Sequence, residues 1–126
     1  MSLRKYFQET EGTGVLSTAN GEGKVNAAVY ARPHFPGEDD RKLAFIMTSR
    51  RSYSNIQDNP HAAYLFMEDK QGYAGKRLYL KKTGEDASPE TVKQLRRREY
   101  KEEEELSDRQ VVYFEVENER PLVGDS

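Results

Sequence analysis

The sequence of 126 residues contains no cysteine. This absence excludes disulfides, thiolate metal sites and a cysteine nucleophile, and it fits a reducing compartment. Histidine is also scarce, since His34 and His61 are the only two. A metal site needs several ligands close together. The sequence clusters none around either histidine, so we expect no metal site.

Long apolar runs are missing as well. The first eight residues lack the apolar run of a signal peptide, and no stretch approaches the roughly 20 apolar residues of a membrane helix. The formal net charge of −2 gives no electrostatic footprint for nucleic acid or an anionic membrane. We therefore expect a cytoplasmic protein without a nucleic-acid or membrane partner. Any bound anion must be held by a local cluster of cations.

The length and composition indicate one domain, residues 1–126, with a thin core. Domains commonly contain about 100–150 residues. Apolar residues make up 35% of the chain and charged residues 33%. Because a short chain leaves much of its surface in water, oligomerisation is one way for it to bury more apolar area.

The hydrophobic pattern predicts about six short strands with helices at the edges. The predicted strands are residues 14–19, 25–31, 43–47, 61–68, 76–84 and 110–117, and the predicted short helices are 3–8 and 52–59. In the second strand, Val25, Ala27 and Val29 share one face, and Asn26 and Tyr30 share the other. Short strands separated by turn signals favour a mainly β fold, a closed or nearly closed antiparallel barrel with peripheral helices.

A long polar helix is predicted over about residues 88–106. Ser88 suits the N-cap, Pro89 the first helical position and Glu90 the positive helix end. Glutamates at 102–105 follow arginines at 96–98. This charge pattern is typical of a solvated helix, and an interaction tail is the alternative.

The stretch after the third predicted strand carries the most chemistry. Thr48, Ser49 and Ser52 offer hydroxyl donors, and Arg50 and Arg51 offer two cations, all at the start of a predicted helix whose free N–H groups carry partial positive charge. These groups form a complete phosphate cradle. It suits a single terminal phosphate, since no glycine-rich loop is present. An ordinary helix cap with two solvated arginines fits the same residues.

Two residues of the second strand are expected to join this cradle. Arg32 follows the strand and points to the same side as Tyr30. If the strands are adjacent, Arg32 is expected to lie beside Thr48. A third cation and an aromatic ring would then converge on the cradle.

Four segments, taken in order, resemble the FMN-binding split-barrel family of pyridoxamine 5'-phosphate oxidase-like proteins. They are Gly14-Val15-Leu16-Ser17-Thr18-Ala19, Ala31-Arg32-Pro33-His34, Phe45-Ile46-Met47-Thr48 and Asn55-Ile56-Gln57-Asp58-Asn59-Pro60. The resemblance covers roughly residues 12 to 84, and the last strand fits it more loosely. The ordered set is specific, although no single motif is.

The resemblance implies a six-stranded antiparallel split β-barrel and a homodimer with FMN at the subunit interface. By position it implies that the flavin ring or ribityl chain is faced by Tyr30, Ala31, Arg32 and Pro33. It implies that the phosphate end is surrounded by Met47, Thr48, Arg50, Arg51, Ser52 and Asn55. His34 is placed either near the flavin or in a surface loop. Tyr73 and Arg77 either reach the partner's flavin or face water.

The sequence departs from the family at one point. The family often has Ser-x-Lys before the helix asparagine, with the lysine on the phosphate. Here Ser52 stands three residues before Asn55, and the connection is about two residues shorter. Arg50 or Arg51 is expected to replace the lysine. The fuller basic set for a pyridoxal phosphate substrate is absent, so the vitamin B6 reaction is not expected.

The function that this resemblance implies is a flavin-dependent oxidoreductase or reductase acting on a small-molecule redox substrate. No catalytic acid or base stands out in the sequence. Two alternatives remain. One is a non-catalytic FMN-binding or flavin-storage protein, and the other is a split barrel that binds another ligand, such as haem or a deazaflavin.

Overall fold

The computed structural model describes residues 2–48, 50–88, 90–91 and 109–124. Within these residues, the strands are β1 (Gly12–Ala19), β2 (Val25–Tyr30), β3 (Lys42–Thr48), β4 (His61–Glu68), β5 (Gly75–Asp86) and β6 (Arg109–Pro121). The helices are α1 (Leu3–Glu9) and α2 (Arg51–Asp58). All strand pairs are antiparallel, and the order across the sheet is β2-β1-β4-β5-β6-β3.

The sheet curls until its two end strands, β2 and β3, approach each other. They are not joined by a ladder. Instead His34, four residues after β2, forms an isolated antiparallel bridge with Ala44 of β3. The two backbone hydrogen bonds of this bridge measure 2.9 and 2.8 Å. The result is the six-stranded, mainly β split barrel that the sequence predicts.

Aromatic side chains fill the barrel. Tyr64 and Phe66 of β4, Phe45 of β3 and Phe114 of β6 are all buried. The rings of Phe45 and Tyr64 lie 4.9 Å apart, and those of Phe45 and Phe114 lie 6.0 Å apart. Leu3 and Phe7 of α1 belong to the same core. Such rings bury much apolar area each, which offsets the small size of the domain.

Gly14 on β1 makes room for the largest of these rings. A Cβ atom on Gly14 would lie 1.9 Å from the hydroxyl oxygen of Tyr64. That hydroxyl donates to the backbone carbonyls of Tyr30 (3.2 Å) and Ala31 (3.0 Å). These hydrogen bonds hold Tyr64 against the end of β2, where the chain leaves the strand.

The strand bounds differ most from the prediction in the last two strands. The structure extends β5 to Asp86 and β6 from Arg109 to Pro121, because the two strands pair along nearly their whole length. Two register shifts, between Tyr79 and Leu80 and between Lys82 and Gly84, interrupt this ladder. Such irregularities let long strands bend around a barrel.

The other elements lie within one or two residues of their predicted bounds. Leu43, Ala44 and Phe45 of β3 are buried in succession, so both faces of this strand are covered. Most of the predicted helix 88–106 lies outside the described residues, as do Pro89, Ser49 and the glutamate run 102–105.

Candidate functional site

A cavity of about 400 Å³ lies between β2, β3 and the start of α2. This volume falls in the usual range for pockets that hold small ligands. The lining residues come from the three elements and their connections: Asn26, Ala28, Val29, Tyr30, Ala31, Arg32, His34, Phe45, Ile46, Thr48, Arg50, Arg51 and Ser52. None of these side chains is a carboxylate, so the lining offers an anion no direct repulsion.

One end of the cavity is the amino-terminal end of α2. Thr48, Arg50, Arg51 and Ser52 line it. Arg50 occupies the N-cap and makes no side-chain capping bond, and the first turn contains no acidic residue. The first N–H groups of a helix have no acceptor inside the helix and carry partial positive charge. Two guanidinium groups and a helix end therefore favour a negatively charged group here.

Ser52 connects α2 to β2 beside this end. The side-chain amide of Asn26 donates to its hydroxyl over 3.1 Å, and Ser52 itself is buried. The Tyr30 hydroxyl is hydrogen-bonded to Ser52 as well. Burial raises the pKa of Tyr30 more than this hydrogen bond lowers it, so Tyr30 stays a neutral phenol at physiological pH.

The rest of the cavity is more apolar. Phe45 and Ile46 of β3 and Ala28 and Val29 of β2 contribute to its wall. The ring of Tyr30 packs edge-on against Phe45, with centroids 5.8 Å apart. A cationic end joined to an apolar wall suits a ligand with an anionic group at one end and a flat apolar group at the other.

Seven of the ten residues predicted for the site line this cavity. They are Tyr30, Ala31, Arg32, Thr48, Arg50, Arg51 and Ser52. Arg32 was expected beside Thr48. It lines the same cavity as Thr48, and its Nη1 donates to the carbonyls of Phe7 (3.0 Å) and Thr10 (2.9 Å), at the carboxyl end of α1. Helix ends leave such carbonyls without partners, so part of this guanidinium is engaged by α1.

The other three predicted residues lie behind the cavity. Met47 is fully buried among the core side chains, whereas its neighbours Ile46 and Thr48 line the cavity. Asn55 is buried and donates to the hydroxyl of Thr18 over 3.1 Å. Pro33 is buried too. The structure thus places Asn55 as a link between α2 and β1.

Several residues that line the cavity were not predicted, although the alternation of side chains along β2 pointed to two of them. Asn26 and Ala28 share the face of Tyr30 by strand alternation, and that signal was sufficient to find them. His34, which the sequence left between two positions, lines the cavity. Tyr73 is 84% exposed, and Arg77 lines a separate open depression on the outside of β5 and β6.

Sites of two other kinds are absent from the described ranges. No group of three or more histidine, cysteine or acidic residues in them is arranged to hold a metal ion. Nor does any helix in them have the length and apolar character that crossing a membrane requires.

Fold and cavity together define a split-barrel protein with a cofactor-sized, cation-ended site. Residues 4–122 match the pyridoxamine 5'-phosphate oxidase family, and the chain belongs to that family. No curated protein matches the chain in sequence.

Solved structures similar to this chain have the same fold. An FMN-binding protein from Syntrophomonas wolfei subsp. wolfei has a TM-score of 0.76 at 16% identity, covering 97% of this chain and 84% of that one. HupZ of Group A Streptococcus has a TM-score of 0.73 at 16% identity, covering 95% and 90%. An F420 reductase has a TM-score of 0.66 at 20% identity, covering 92% and 94%. At such identities the likeness establishes the fold.

Proposed function

We propose that this chain binds FMN in the cavity between β2, β3 and α2. The observation that carries the proposal is the joining of two surfaces in one cavity, the cationic start of α2 and the apolar wall of β2 and β3. FMN has the matching pair of parts, a terminal phosphate monoester and a flat ring system. A solved structure of the same fold is described as an FMN-binding protein.

The donor set fits a phosphate monoester. Thr48 and Ser52 supply hydroxyls, and Arg50 and Arg51 supply charge-assisted donors, at a helix end that attracts anions. The ring would lie against Tyr30, Phe45 and Ile46, where the lining is apolar. Guanidinium groups match phosphate oxygens with paired donors, so either arginine can do the work of the family's lysine.

We propose further that the protein is a flavin-dependent oxidoreductase acting on a small molecule. FMN, when bound, supplies the electron-transfer chemistry, and the protein supplies binding, orientation and a dry environment.

We propose a homodimer with the flavin at the subunit interface. Val25 and Val29 of β2 are 74% and 75% exposed. Val29 also borders the cavity. A second copy that covers this face of β2 would therefore bury apolar surface and close the cavity in one step.

The test is the visible spectrum of the purified protein, followed by titration with FMN and riboflavin, monitored by flavin fluorescence. We expect tight FMN binding and weaker riboflavin binding, since riboflavin lacks the phosphate. A colourless protein that gains no flavin bands with excess FMN would overturn the proposal. Steady-state reduction of the bound flavin by NADH or NADPH then separates an enzyme from a flavin carrier.

A deazaflavin is the second candidate ligand, because an F420 reductase is among the similar structures. F420 also combines a flat ring with an anionic tail. The same titration with F420 tests it. Binding of F420 without binding of FMN would replace the first proposal with this one.

A further inference from the structure

The carboxylate of Glu85, near the end of β5, accepts hydrogen bonds from three side chains. The donors are the Tyr53 hydroxyl at 2.5 Å, the Gln57 amide at 3.0 Å and the Lys82 ammonium at 2.6 Å. Tyr53 bonds one carboxylate oxygen, and Gln57 and Lys82 bond the other. Both carboxylate oxygens of Glu85 therefore accept hydrogen bonds.

These bonds fix one flank of α2. Tyr53 lies in the first turn of the helix and Gln57 in the second, four residues apart on the same side. The opposite flank is tied to β1 by the bond from Asn55 to Thr18, and Ile56 between the flanks is buried in the core. Glu85 therefore contacts both turns of the helix on one flank.

Glu85 remains ionised at physiological pH. Partial burial by itself would raise the pKa of its carboxyl, but the hydrogen bonds from Lys82, Tyr53 and Gln57 outweigh burial and lower the pKa to about 2. Hydrogen bonds to an ionised acceptor are stronger than neutral ones. The bonds from Tyr53 and Gln57 to Glu85 are therefore charge-assisted at physiological pH, and they form a tether between α2 and β5.

We propose that Glu85 is a positioning residue for the phosphate of the ligand, acting through α2. This inference rests on the proposed function. Glu85 does not line the cavity, but Tyr53, which it holds, is adjacent to Ser52 and two residues from Arg51. By fixing the first turn of α2, Glu85 sets where the Arg51 and Ser52 side chains and the helix N–H groups point.

Simple electrostatics makes the opposite prediction. Glu85 carries a negative charge, so its removal should strengthen the attraction of α2 for a phosphate and tighten FMN binding. If positioning dominates, its removal weakens FMN binding instead. The sign of the change therefore separates the two effects, and riboflavin, which lacks the phosphate, reports changes in the rest of the cavity.

The experiment compares FMN and riboflavin dissociation constants for the wild-type protein, Glu85→Ala and Tyr53→Phe. We expect the ratio of FMN affinity to riboflavin affinity to fall about tenfold in Glu85→Ala and by a smaller factor in Tyr53→Phe. Riboflavin affinity should change less than about twofold. Tyr53→Phe keeps the ring and removes one hydroxyl, so it tests the tether even if Glu85→Ala folds poorly.

Glu117→Ala is the matched control, because it removes one exposed carboxylate that lies outside the cavity lining and is paired with His61 at 3.7 Å. Its FMN-to-riboflavin ratio should equal that of the wild type. An unchanged or increased ratio in both test variants would overturn the inference, as would a parallel loss of both affinities. The wild-type protein is titrated first. If it binds no flavin, the proposed function fails, and this result is distinct from a failure of the inference about Glu85.

Discussion

The side chain of Asn26 on β2 donates a 3.1 Å hydrogen bond to the hydroxyl of Ser52 in the first turn of α2. The bond therefore links α2, which follows β3 in the chain, to β2 at the other end of the sheet. It lies at the cavity wall, since both residues line the cavity. The relationship ties the cationic end of the site to the strand that carries Tyr30.

Asn26→Ala should destabilise the fold by about 1 kcal/mol, because it removes a hydrogen-bond donor from the buried Ser52 hydroxyl. Urea denaturation measures this change in the free energy of unfolding. Asn118→Ala, at an exposed position of β6, is the control and should change it by less than about 0.5 kcal/mol. A loss of stability in Asn26→Ala no larger than that in Asn118→Ala would contradict a specific contribution of the Asn26–Ser52 bond.

Removing either arginine at the start of α2 should weaken FMN binding selectively. A charge-assisted contact to a phosphate contributes on the order of 1.5–3 kcal/mol, so we expect a loss of at least about tenfold in affinity for Arg51→Ala or Arg50→Ala. The measurement is fluorescence titration with FMN and riboflavin, and riboflavin affinity should hardly change. Unchanged FMN affinity in both variants would place the phosphate elsewhere.

The sequence predicted the parts of the fold that local patterns determine. Alternating apolar residues identified strands such as β2, and a helix was correctly predicted directly after the hydroxyls and arginines that follow β3. The last four residues of β6, 118–121, were not predicted as strand, because three are polar, one is proline and they carry no strand pattern. Those residues are ordered by pairing with β5, which is a long-range interaction that no local window contains.

The candidate site also contains residues that the local sequence brings together and residues that only long-range packing places. Thr48, Arg50, Arg51 and Ser52 are consecutive or nearly so, and a helix start brings them together without help from the rest of the chain. Arg32 was expected near them and lines the same cavity. Its hydrogen bonds to carbonyls of α1 could not be predicted, because they depend on where α1 packs. Glu85 could not be found at all, since it lies 32 residues from Tyr53 and its role depends on how β5 passes α2.

Gly14→Ala should destabilise the protein by about 1–3 kcal/mol, the usual range for overpacking a core. The new methyl would meet the ring of Tyr64, whose nearest atoms lie 1.9–2.7 Å from its position, and Tyr64 is fully buried. Thermal or urea denaturation measures the loss.

Gly84→Ala is the matched control for this overpacking. Gly84 is also in a strand, but nothing lies within 4 Å of the position that a Cβ atom would take there, so its stability should change by less than about 0.5 kcal/mol. The double variant Gly14→Ala/Tyr64→Leu should lose less free energy of unfolding than the sum of the two single variants. The smaller leucine side chain leaves room for the new methyl group. If the losses in the two single variants simply add in the double variant, the predicted clash between the new methyl group and Tyr64 is wrong.

The exposed valines of β2 provide the test of the proposed homodimer. Val25 and Val29 point to the same side of an edge strand, and each is about three-quarters exposed. If a second copy covers them, Val29→Lys places a charge in an apolar interface and should raise the dimer dissociation constant at least about a hundredfold. Sedimentation of the wild-type and variant proteins over a range of concentrations measures it.

Val123→Lys is the control, because Val123 is an exposed valine (61%) in a different part of the chain. The dimer dissociation constant of this variant should equal that of the wild type. Since Val29 also borders the cavity, Val29→Lys should weaken FMN and riboflavin binding together, unlike Arg51→Ala. A monomeric wild-type protein would reject the homodimer. A Val29→Lys variant that stays dimeric with normal flavin affinity would place the subunit interface on another face of the barrel and leave β2 as an exposed edge.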